Sequence, residues 1–297
     1  MDLSYLQAVV IGLLQGVTEL FPVSSLGHSV LVPAWLGGSW EHLVLAQSDP
    51  ESPYLAFIVA LHVATACALL VLFWRDWVGI VRGFFSSLRS RTVTTTYERM
   101  AWLIVVSTIP AGITGLLLEH TLRTVFAKPL AAAVFLTING LILLGGEWLR
   151  RRAPQPGPTT GSPDSESVDD AIADHVSRRD AGVIGVLQTA ALLPGISRSG
   201  ITMVGGLLRG LTHEEALRFS FLLATPIILA AGVYKVPDLI GPLGDGIRGQ
   251  ALAGAAAAFL AALVAARFLE RWFRTRTLIP FAVYCLVAGA ASMVHFA

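Results

Sequence analysis

Polar side chains gather near the start of the chain at spacings that suit metal or phosphate chemistry. Gln15 and Glu19 are four residues apart, so a helix would place their amide and carboxylate groups on one face. Oxygen ligands of these two kinds suit a hard cation such as Mg²⁺. The alternative is a structural Glu19 that accepts hydrogen bonds from the backbone near Ser24 and Ser25. The pair by itself leaves both interpretations open.

Ser25 and His28 follow close behind, three residues apart. A hydroxyl and an imidazole that lie close together can act as a nucleophile and its base. Serine is also a preferred N-cap residue, and we expect either Ser24 or Ser25 to cap a helix that begins near Gly27. His28 is harder to explain structurally, because an ionisable side chain in an apolar segment is costly.

A second polar cluster begins a short helix in the other half of the chain and is typical of an anion site. Free N–H groups at a helix N-terminus favour phosphate, and the planar guanidinium of Arg198 matches phosphate oxygens. The alternative is a capped loop whose Arg198 forms a structural ion pair with Glu19. The number of donors favours the anion site. Its further donors come from Ser197, Ser199, Gly200 and Thr202.

The two clusters complement each other, because the first supplies an acid and a histidine and the second supplies an arginine. We predict one composite site, in which Gln15 and Glu19 bind a cation and the second cluster, with Ser24, binds a phosphorylated group. The predicted catalytic residues are Glu19, Ser25, His28 and Arg198. His62 lies within an apolar run, and we expect it to hydrogen-bond to a neighbouring helix.

The elements that hold these side chains have the composition of a membrane protein. Charged residues make up 14% of the 297 residues, against about 25% in soluble proteins. No lysine or arginine occurs before Arg75. The pattern predicts an all-α polytopic membrane protein and disfavours disordered chains, disulfide scaffolds and nucleic-acid binders. Six apolar runs are long enough to span a bilayer as helices, namely 53–74, 101–118, 130–149, 214–236, 250–269 and 278–297.

Two further apolar segments, 3–36 and 181–210, are interrupted by Pro, Gly and Ser where the polar clusters lie. Non-helical backbone at membrane depth survives only inside protein or beside a wet cavity, so we predict two re-entrant helix–loop–helix hairpins. The chain then divides into two inverted repeats, 1–150 and 181–297, joined by a flexible cytoplasmic linker over 151–180. Such repeats commonly build a site near the membrane midplane.

The basic residues predict the orientation of the chain. Fourteen of the 21 lysine and arginine residues lie in the loops 75–99, 150–179 and 267–276. By the positive-inside rule these three loops are cytoplasmic. Counting spans from them places the first hairpin on the outer side of the membrane and the second on the cytoplasmic side.

The motifs resemble those of a known family. Residues 15–28, QGVTELFPVSSLGH, resemble the (E/Q)xxxE and PVSSxGH signature of the undecaprenyl-diphosphate phosphatases of the bacitracin-resistance type. Residues 193–202, LPGISRSGIT, resemble the second signature of that family, PGxSRSxxT. The stretches 107–112 and 216–226 are also similar to the family, so the resemblance covers nearly the whole chain.

The resemblance implies hydrolysis of undecaprenyl diphosphate to the monophosphate and phosphate, which recycles the lipid carrier of peptidoglycan synthesis and confers bacitracin resistance. It also implies a divalent cation, Mg²⁺ or Ca²⁺, and a site open to the outer side of a prokaryotic plasma membrane. The expected partners are the polyprenyl diphosphate and membrane lipids, without nucleic acid, and a homodimer is left open. The chain departs from the family at Gln15, where Glu is commoner, and at Leu26, where Thr is commoner. The family's roles fall on Gln15, Glu19, Ser25, His28, Ser197, Arg198 and Thr202.

A transporter or flippase for a lipid phosphate or an anion is the alternative function, because inverted repeats with paired hairpins also build transporters. An intramembrane serine protease is disfavoured, since Arg198 stands where a protease loop of the GxSG type has glycine. Whether Ser25, His28 or water is the nucleophile is left open at this point.

Overall fold

Helices make up the regular structure of the residues that the structure describes. The computed structural model describes residues 3–40, 43, 52–126, 128–152 and 168–297, and no strand occurs within these ranges. The α-helices of these residues are, in chain order, α1 (Tyr5–Leu20), α2 (Ser25–Leu36), α3 (Pro53–Leu72), α4 (Trp74–Ser90), α5 (Thr96–Phe126), α6 (Pro129–Arg152), α7 (Val168–His175), α8 (Arg178–Gln188), α9 (Arg198–Leu207), α10 (His213–Ile240), α11 (Arg248–Phe273) and α12 (Ile279–Phe296).

Within this described part, six helices are long and apolar enough to cross a membrane, namely α3, α5, α6, α10, α11 and α12. They coincide with the six predicted spans, so the prediction of an all-α polytopic membrane protein is confirmed. Each span is a helix because a segment in lipid must satisfy its own backbone hydrogen bonds.

The first interrupted segment, 3–36, consists of two helices with a break between them. The helix α1 ends just before Phe21, which is extended (φ −68°, ψ 144°). The ring of Pro22 causes this ending, because it disfavours the α conformation in the residue before it. The helix α2 then begins at Ser25, with Ser24 as its N-cap.

The second interrupted segment, 181–210, has the same plan. A 3₁₀ turn at Thr189–Leu192 follows α8, and α9 begins at Arg198 with Ser197 as its N-cap. Both predicted interruptions are therefore observed as breaks between short helices. The insertion of the two hairpins from opposite sides of the membrane, and the inverted repetition of the two halves, stay predictions.

One helix lies where the sequence analysis placed only a loop. The helix α4 occupies most of the basic segment 75–99 and packs on the start of α5. Its N–H and C=O groups are satisfied within the helix, so the basic residues project from an ordered surface.

A second unexpected helix, α7, lies within the segment 151–180 that was predicted to be a flexible linker. Asp169 in its first turn accepts two hydrogen bonds from the guanidinium of Arg218, at 2.6 and 3.0 Å, and Ile172 is fully buried. These contacts hold α7 against α10. Residues 168–175 are thus a packed helix rather than a linker, and residues 153–167 lie outside the described part of the chain.

Helices from the two halves of the chain pack against one another. The helix α1 lies so close to α11 that a Cβ atom on Gly12 would be 2.2 Å from the carbonyl oxygen of Gly254. The helix α8 lies similarly close to α5, where Gly185 meets the backbone of Ser107. Small residues allow this close approach of membrane helices. The largest hydrophobic core is consequently built from both halves.

Candidate active site

The two helix breaks touch each other at glycine residues. A Cβ atom on Gly27 would lie 2.8 Å from the Cα atom of Gly195, so the two backbones are in direct contact. Gly195 also has a φ of +112°, a conformation that only glycine adopts readily. The two polar loops therefore meet, as the hypothesis of a composite site requires.

Ser24 links the two breaks through its side chain. Its hydroxyl oxygen accepts from the N–H of Gly27 at 3.2 Å and from the N–H of Gly195 at 3.1 Å. Its backbone has a φ of +72°, which is uncommon for a residue other than glycine. The prediction that one of the two serines caps α2 is confirmed for Ser24. The same oxygen also joins the two halves of the chain.

Asn139, on α6, forms hydrogen bonds to both helix breaks. Its side-chain oxygen accepts from the N–H of Ser197 at 2.9 Å, and its side-chain nitrogen donates to the carbonyl oxygen of Pro22 at 3.0 Å. Proline and the tight loop leave these two backbone groups without helical partners. Asn139 is fully buried, so no water can replace it at these bonds.

Glu19 is the centre of a buried cluster of charged and polar groups. Its Oε1 accepts from Nη2 of Arg198 at 2.7 Å. Its Oε2 accepts from the hydroxyl of Ser25 at 2.5 Å and from the amide nitrogen of Gln15 at 3.2 Å. Nε2 of His62 lies 3.4 Å from the same Oε2. The structure thus brings four of the predicted residues together and adds His62.

The Nη1 atom of Arg198 has no hydrogen-bond partner within the part of the chain that the structure describes. Nη2 donates to Glu19, whereas Nη1 is buried. A buried charged donor that lacks a partner costs free energy, so such atoms in native proteins call for an explanation. An anion with several oxygen atoms, such as a phosphate group, would satisfy it.

The hydroxyl groups at the start of α9 are engaged within the protein. The oxygen of Ser197 accepts from the N–H of Gly200 at 3.1 Å, which caps the helix. The hydroxyl of Ser199 donates to the carbonyl oxygen of Phe21 at 3.1 Å, and Thr202 donates to a carbonyl in its own helix at 2.8 Å. These bonds shape the loop, and direct contacts from these residues to a substrate stay predictions.

His28 is hydrogen-bonded away from Ser25. Its Nδ1 lies 2.7 Å from the carbonyl oxygen of Ser24, and because a carbonyl only accepts, Nδ1 carries a proton. Its Nε2 lies 2.7 Å from the hydroxyl of Tyr284, which donates to it when the ring is neutral. The hydroxyl of Ser25 in this conformation therefore faces Glu19. Catalytic hydrogen bonds often form only with substrate, so a Ser25–His28 pair stays a prediction.

Three residues at the site were missed or set aside by the sequence analysis. Asn139 carried a usable signal, because a polar residue within an apolar span is costly unless it has a partner. Tyr284 carried no such signal, since His28, to which it hydrogen-bonds, is 256 positions away in the chain. His62 was expected to contact a neighbouring helix. It does contact α1, but its partner there is the acid of the site.

The donor set at Glu19 suits a divalent cation that arrives with a phosphorylated substrate. Glu19 would supply a hard oxygen ligand and Gln15 a second one through its amide oxygen, and Mg²⁺ is commonly held by one or two carboxylates together with substrate phosphates and waters. Among the residues that the structure describes, no three His, Cys, Asp or Glu side chains form a metal-binding group. Phosphate oxygens and waters would therefore have to complete the coordination.

These features define a class of protein: a polytopic helical membrane protein with a buried cluster of charged and polar side chains where two helix breaks meet. The family model described as "Bacitracin resistance protein BacA" matches residues 8–291, and the chain belongs to this family.

The chain is 61% identical to the undecaprenyl-diphosphatase of Mycolicibacterium paratuberculosis, over 99% of this chain and 98% of that protein. Undecaprenyl-diphosphatase 2 of Frankia alni is 55% identical, over 100% of this chain and 99% of its own length. The undecaprenyl-diphosphatase of Granulibacter bethesdensis is 46% identical, over 100% and 99%.

Proposed function

We propose that this protein hydrolyses undecaprenyl diphosphate to undecaprenyl phosphate and inorganic phosphate, and so recycles the lipid carrier of peptidoglycan synthesis. The full-length similarity to proteins named undecaprenyl-diphosphatase supports this substrate. The observation that carries the proposal is the buried Nη1 of Arg198, which lies beside the carboxylate of Glu19 and has no hydrogen-bond partner in the described ranges of the chain. A diphosphate supplies the oxygen atoms that this arginine lacks.

Arg198 is the residue that we assign to the terminal phosphoryl group. Its ion pair with Glu19 occupies Nη2, so binding of a phosphate would engage Nη1 first and then compete with Glu19 for Nη2. The N-terminus of α9 adds the favourable end of a helix dipole. Charge stabilisation of this kind contributes most of the rate in phosphoryl transfer, where the protein mainly positions groups and neutralises charge.

Ser25 is the nucleophile in our proposal, and Glu19 receives its proton, because the hydroxyl already donates to Oε2 of Glu19 at 2.5 Å. The Oγ atom forms a bond to the terminal phosphorus while the bond to the bridging oxygen breaks and undecaprenyl phosphate leaves. Water then cleaves the phosphoserine, which releases inorganic phosphate and restores Ser25. Glu19 returns its proton to Ser25 as the phosphoserine breaks, and His28, whose Nε2 has no proton in the neutral ring, would accept a proton from the attacking water.

A divalent cation is part of the proposal. Glu19 and Gln15 would hold it, and the chemistry that it supplies when bound is neutralisation of charge on the diphosphate oxygens. The surrounding residues perform the remaining tasks: Arg198 binds and orients the phosphoryl group, and the buried loops exclude water. We further propose that the protein resides in the plasma membrane of a prokaryote with this site open to the outer side.

Phosphate release tests the proposed function. Purified protein in detergent, without any gradient, should release inorganic phosphate from undecaprenyl diphosphate, and a chelator should stop the release until Mg²⁺ or Ca²⁺ is restored. A transporter of a lipid phosphate would release none under these conditions. Phosphate release that the chelator does not affect would contradict the requirement for a divalent cation but not the phosphatase activity. The two parts of the proposal are therefore tested separately.

A further inference from the structure

The helix α4 exposes a continuous apolar stripe that no other part of the described protein covers. The stripe recurs at intervals of three and four residues, which places its members on one side of the helix. Phe85, near the middle of the helix, is 64% exposed. In water such a stripe would be unfavourable, because it forms a contiguous apolar patch. Its members are Trp74, Val78, Val81, Phe85 and Leu88.

The direction of this stripe is fixed by the way α4 is attached to α5. A Cβ atom on Gly83 would lie 2.8 Å from the backbone of Tyr97, so the opposite face of α4 is in close contact with α5. The hydroxyl of Ser86 donates to Glu98 at 2.8 Å, and the indole N–H of Trp102 donates to Ser87 at 3.0 Å. The helix cannot roll about its axis without breaking these bonds, so the stripe points away from the protein.

Three arginines flank the stripe along one edge. Arg75, Arg82 and Arg89 are spaced seven residues apart, so they follow one line along α4 beside the apolar side chains. All three are exposed or half-exposed, and no carboxylate of the described residues forms an ion pair with them. Arg75 lies over the ring of Trp74, with its guanidinium carbon 5.7 Å from the ring centroid.

We propose that α4 lies in the plane of the membrane surface and binds anionic phospholipids of the cytoplasmic leaflet. The apolar stripe enters the boundary between headgroups and acyl chains, and the arginines bind the lipid phosphates. An exposed apolar face beside a line of basic residues is the pattern of helices that lie in such an interface. The charge of the arginines selects anionic lipids, whose surface potential attracts basic segments. This surface is separate from the site at Glu19 and Arg198 and does not depend on the proposed function.

Lipid selectivity measures the contribution of the arginines. The full chain is reconstituted into phosphatidylcholine vesicles, and spin-labelled phosphatidylglycerol and phosphatidylcholine report the relative association constant at the protein surface. Because each arginine near an anionic surface strengthens association by up to about fivefold, we expect a preference for phosphatidylglycerol of at least about twofold. The variant R82Q/R89Q should lose most of this preference, whereas the charge-matched control R178Q/R179Q, at the exposed start of α8, should keep it. Equal losses in both variants would overturn the selective role of α4.

The position of the stripe is measured with a fluorophore. In the background C67A, which leaves only the buried Cys285, F85C is labelled with NBD, and the loop position T92C serves as the control. Nitroxide-labelled lipid should quench the label at residue 85, and aqueous iodide should quench the label at residue 92. Quenching of residue 85 by iodide would overturn the proposal. Protection of residue 85 from both quenchers would also overturn it, because the stripe would then be covered by protein, such as a second copy of the chain.

Discussion

Arg198 and Glu19 lie 2.7 Å apart in the folded protein although 179 positions separate them in the chain. One comes from the start of α9 and the other from the last turn of α1, so neither half of the chain contains both. The carboxylate is buried and the guanidinium is mostly buried, yet Nη1 of Arg198 has no hydrogen-bond partner among the described residues. The pair is therefore the structural ion pair that the sequence analysis gave as one alternative, and anion binding at Nη1 stays a prediction.

The buried Nη1 atom of Arg198 predicts that the forked shape of the guanidinium matters as well as its charge. Arg198→Lys keeps a positive charge that can pair with Glu19 but lacks the second nitrogen of the fork. We expect kcat/KM for phosphate release to fall by about 10² to 10³, as when one oxyanion donor is removed. Arg209→Lys, at an ion pair outside the site, is the matched control and should leave kcat/KM unchanged. If Arg198→Lys were as active as this control, the role of the fork would be refuted.

The hydrogen bond between Ser25 and Glu19 predicts that the serine is the nucleophile. Ser25→Ala should lower kcat by about 10³ or more, because the covalent route is lost. Rapid quenching with substrate labelled on the terminal phosphorus should trap phosphoserine in the unmodified protein and none in the variant. If Ser25→Ala kept near-normal kcat while His28→Ala abolished turnover, the serine mechanism would be excluded.

The contact between Tyr284 and His28 predicts a positioning role for the tyrosine. Tyr284→Phe removes the hydroxyl that holds Nε2 of His28 and keeps the ring. We expect kcat to fall by about tenfold, the order that outer-shell partners contribute, with KM nearly unchanged. The exposed Tyr234 offers the control Tyr234→Phe. A rise in KM without loss of kcat would show that the tyrosine serves substrate binding instead.

The two hydrogen bonds of Asn139 predict that the stability of the protein depends on this one buried amide group. Asn139→Leu fills a similar volume but removes the partner of the Ser197 N–H, at a cost of about 1–3 kcal/mol, and leaves the carbonyl of Pro22 with only the weak thiol donor of Cys285. The melting temperature in detergent should fall and phosphate release should be lost. Thr137→Val is the control, because that hydroxyl donates to the carbonyl of Ala133 in its own helix and touches neither helix break among the described residues. Equal melting temperatures for the two variants would contradict the bridging role.

The backbone contact at Gly27 predicts that even one methyl group separates the two loops. Gly27→Ala would place a Cβ atom 2.8 Å from Gly195, and overpacking of this kind costs about 1–3 kcal/mol. We expect a lower melting temperature together with lower kcat/KM. Gly145→Ala, where a Cβ would meet nothing within 4 Å, should be neutral or slightly stabilising. Tolerance of alanine at residue 27 would mean that the loops can separate without loss of activity.

Much of this architecture follows from local chemistry and was predictable. The six spans follow from length and apolar composition, and the breaks follow from Pro22 and from Pro194 with Gly195, since proline and glycine disfavour continued helix. The helix α4 was missed because its many arginines resemble a solvent-exposed loop, although its apolar residues keep a helical period. The contacts of Asn139 could not be predicted, because its partners lie 58 and 117 positions away and only the packed fold brings them close.

The packing of helices from one half against the other has a consequence for biosynthesis. Glu19 is synthesised well before α11, against which its helix packs and which begins at Arg248. The helix α1 must therefore remain in the membrane without this neighbour until the helices α2 to α10 have been synthesised. Assembly of the site is therefore a late step in synthesis. A chain truncated before α11 would leave α1, which contains Glu19, without the helix that it packs against.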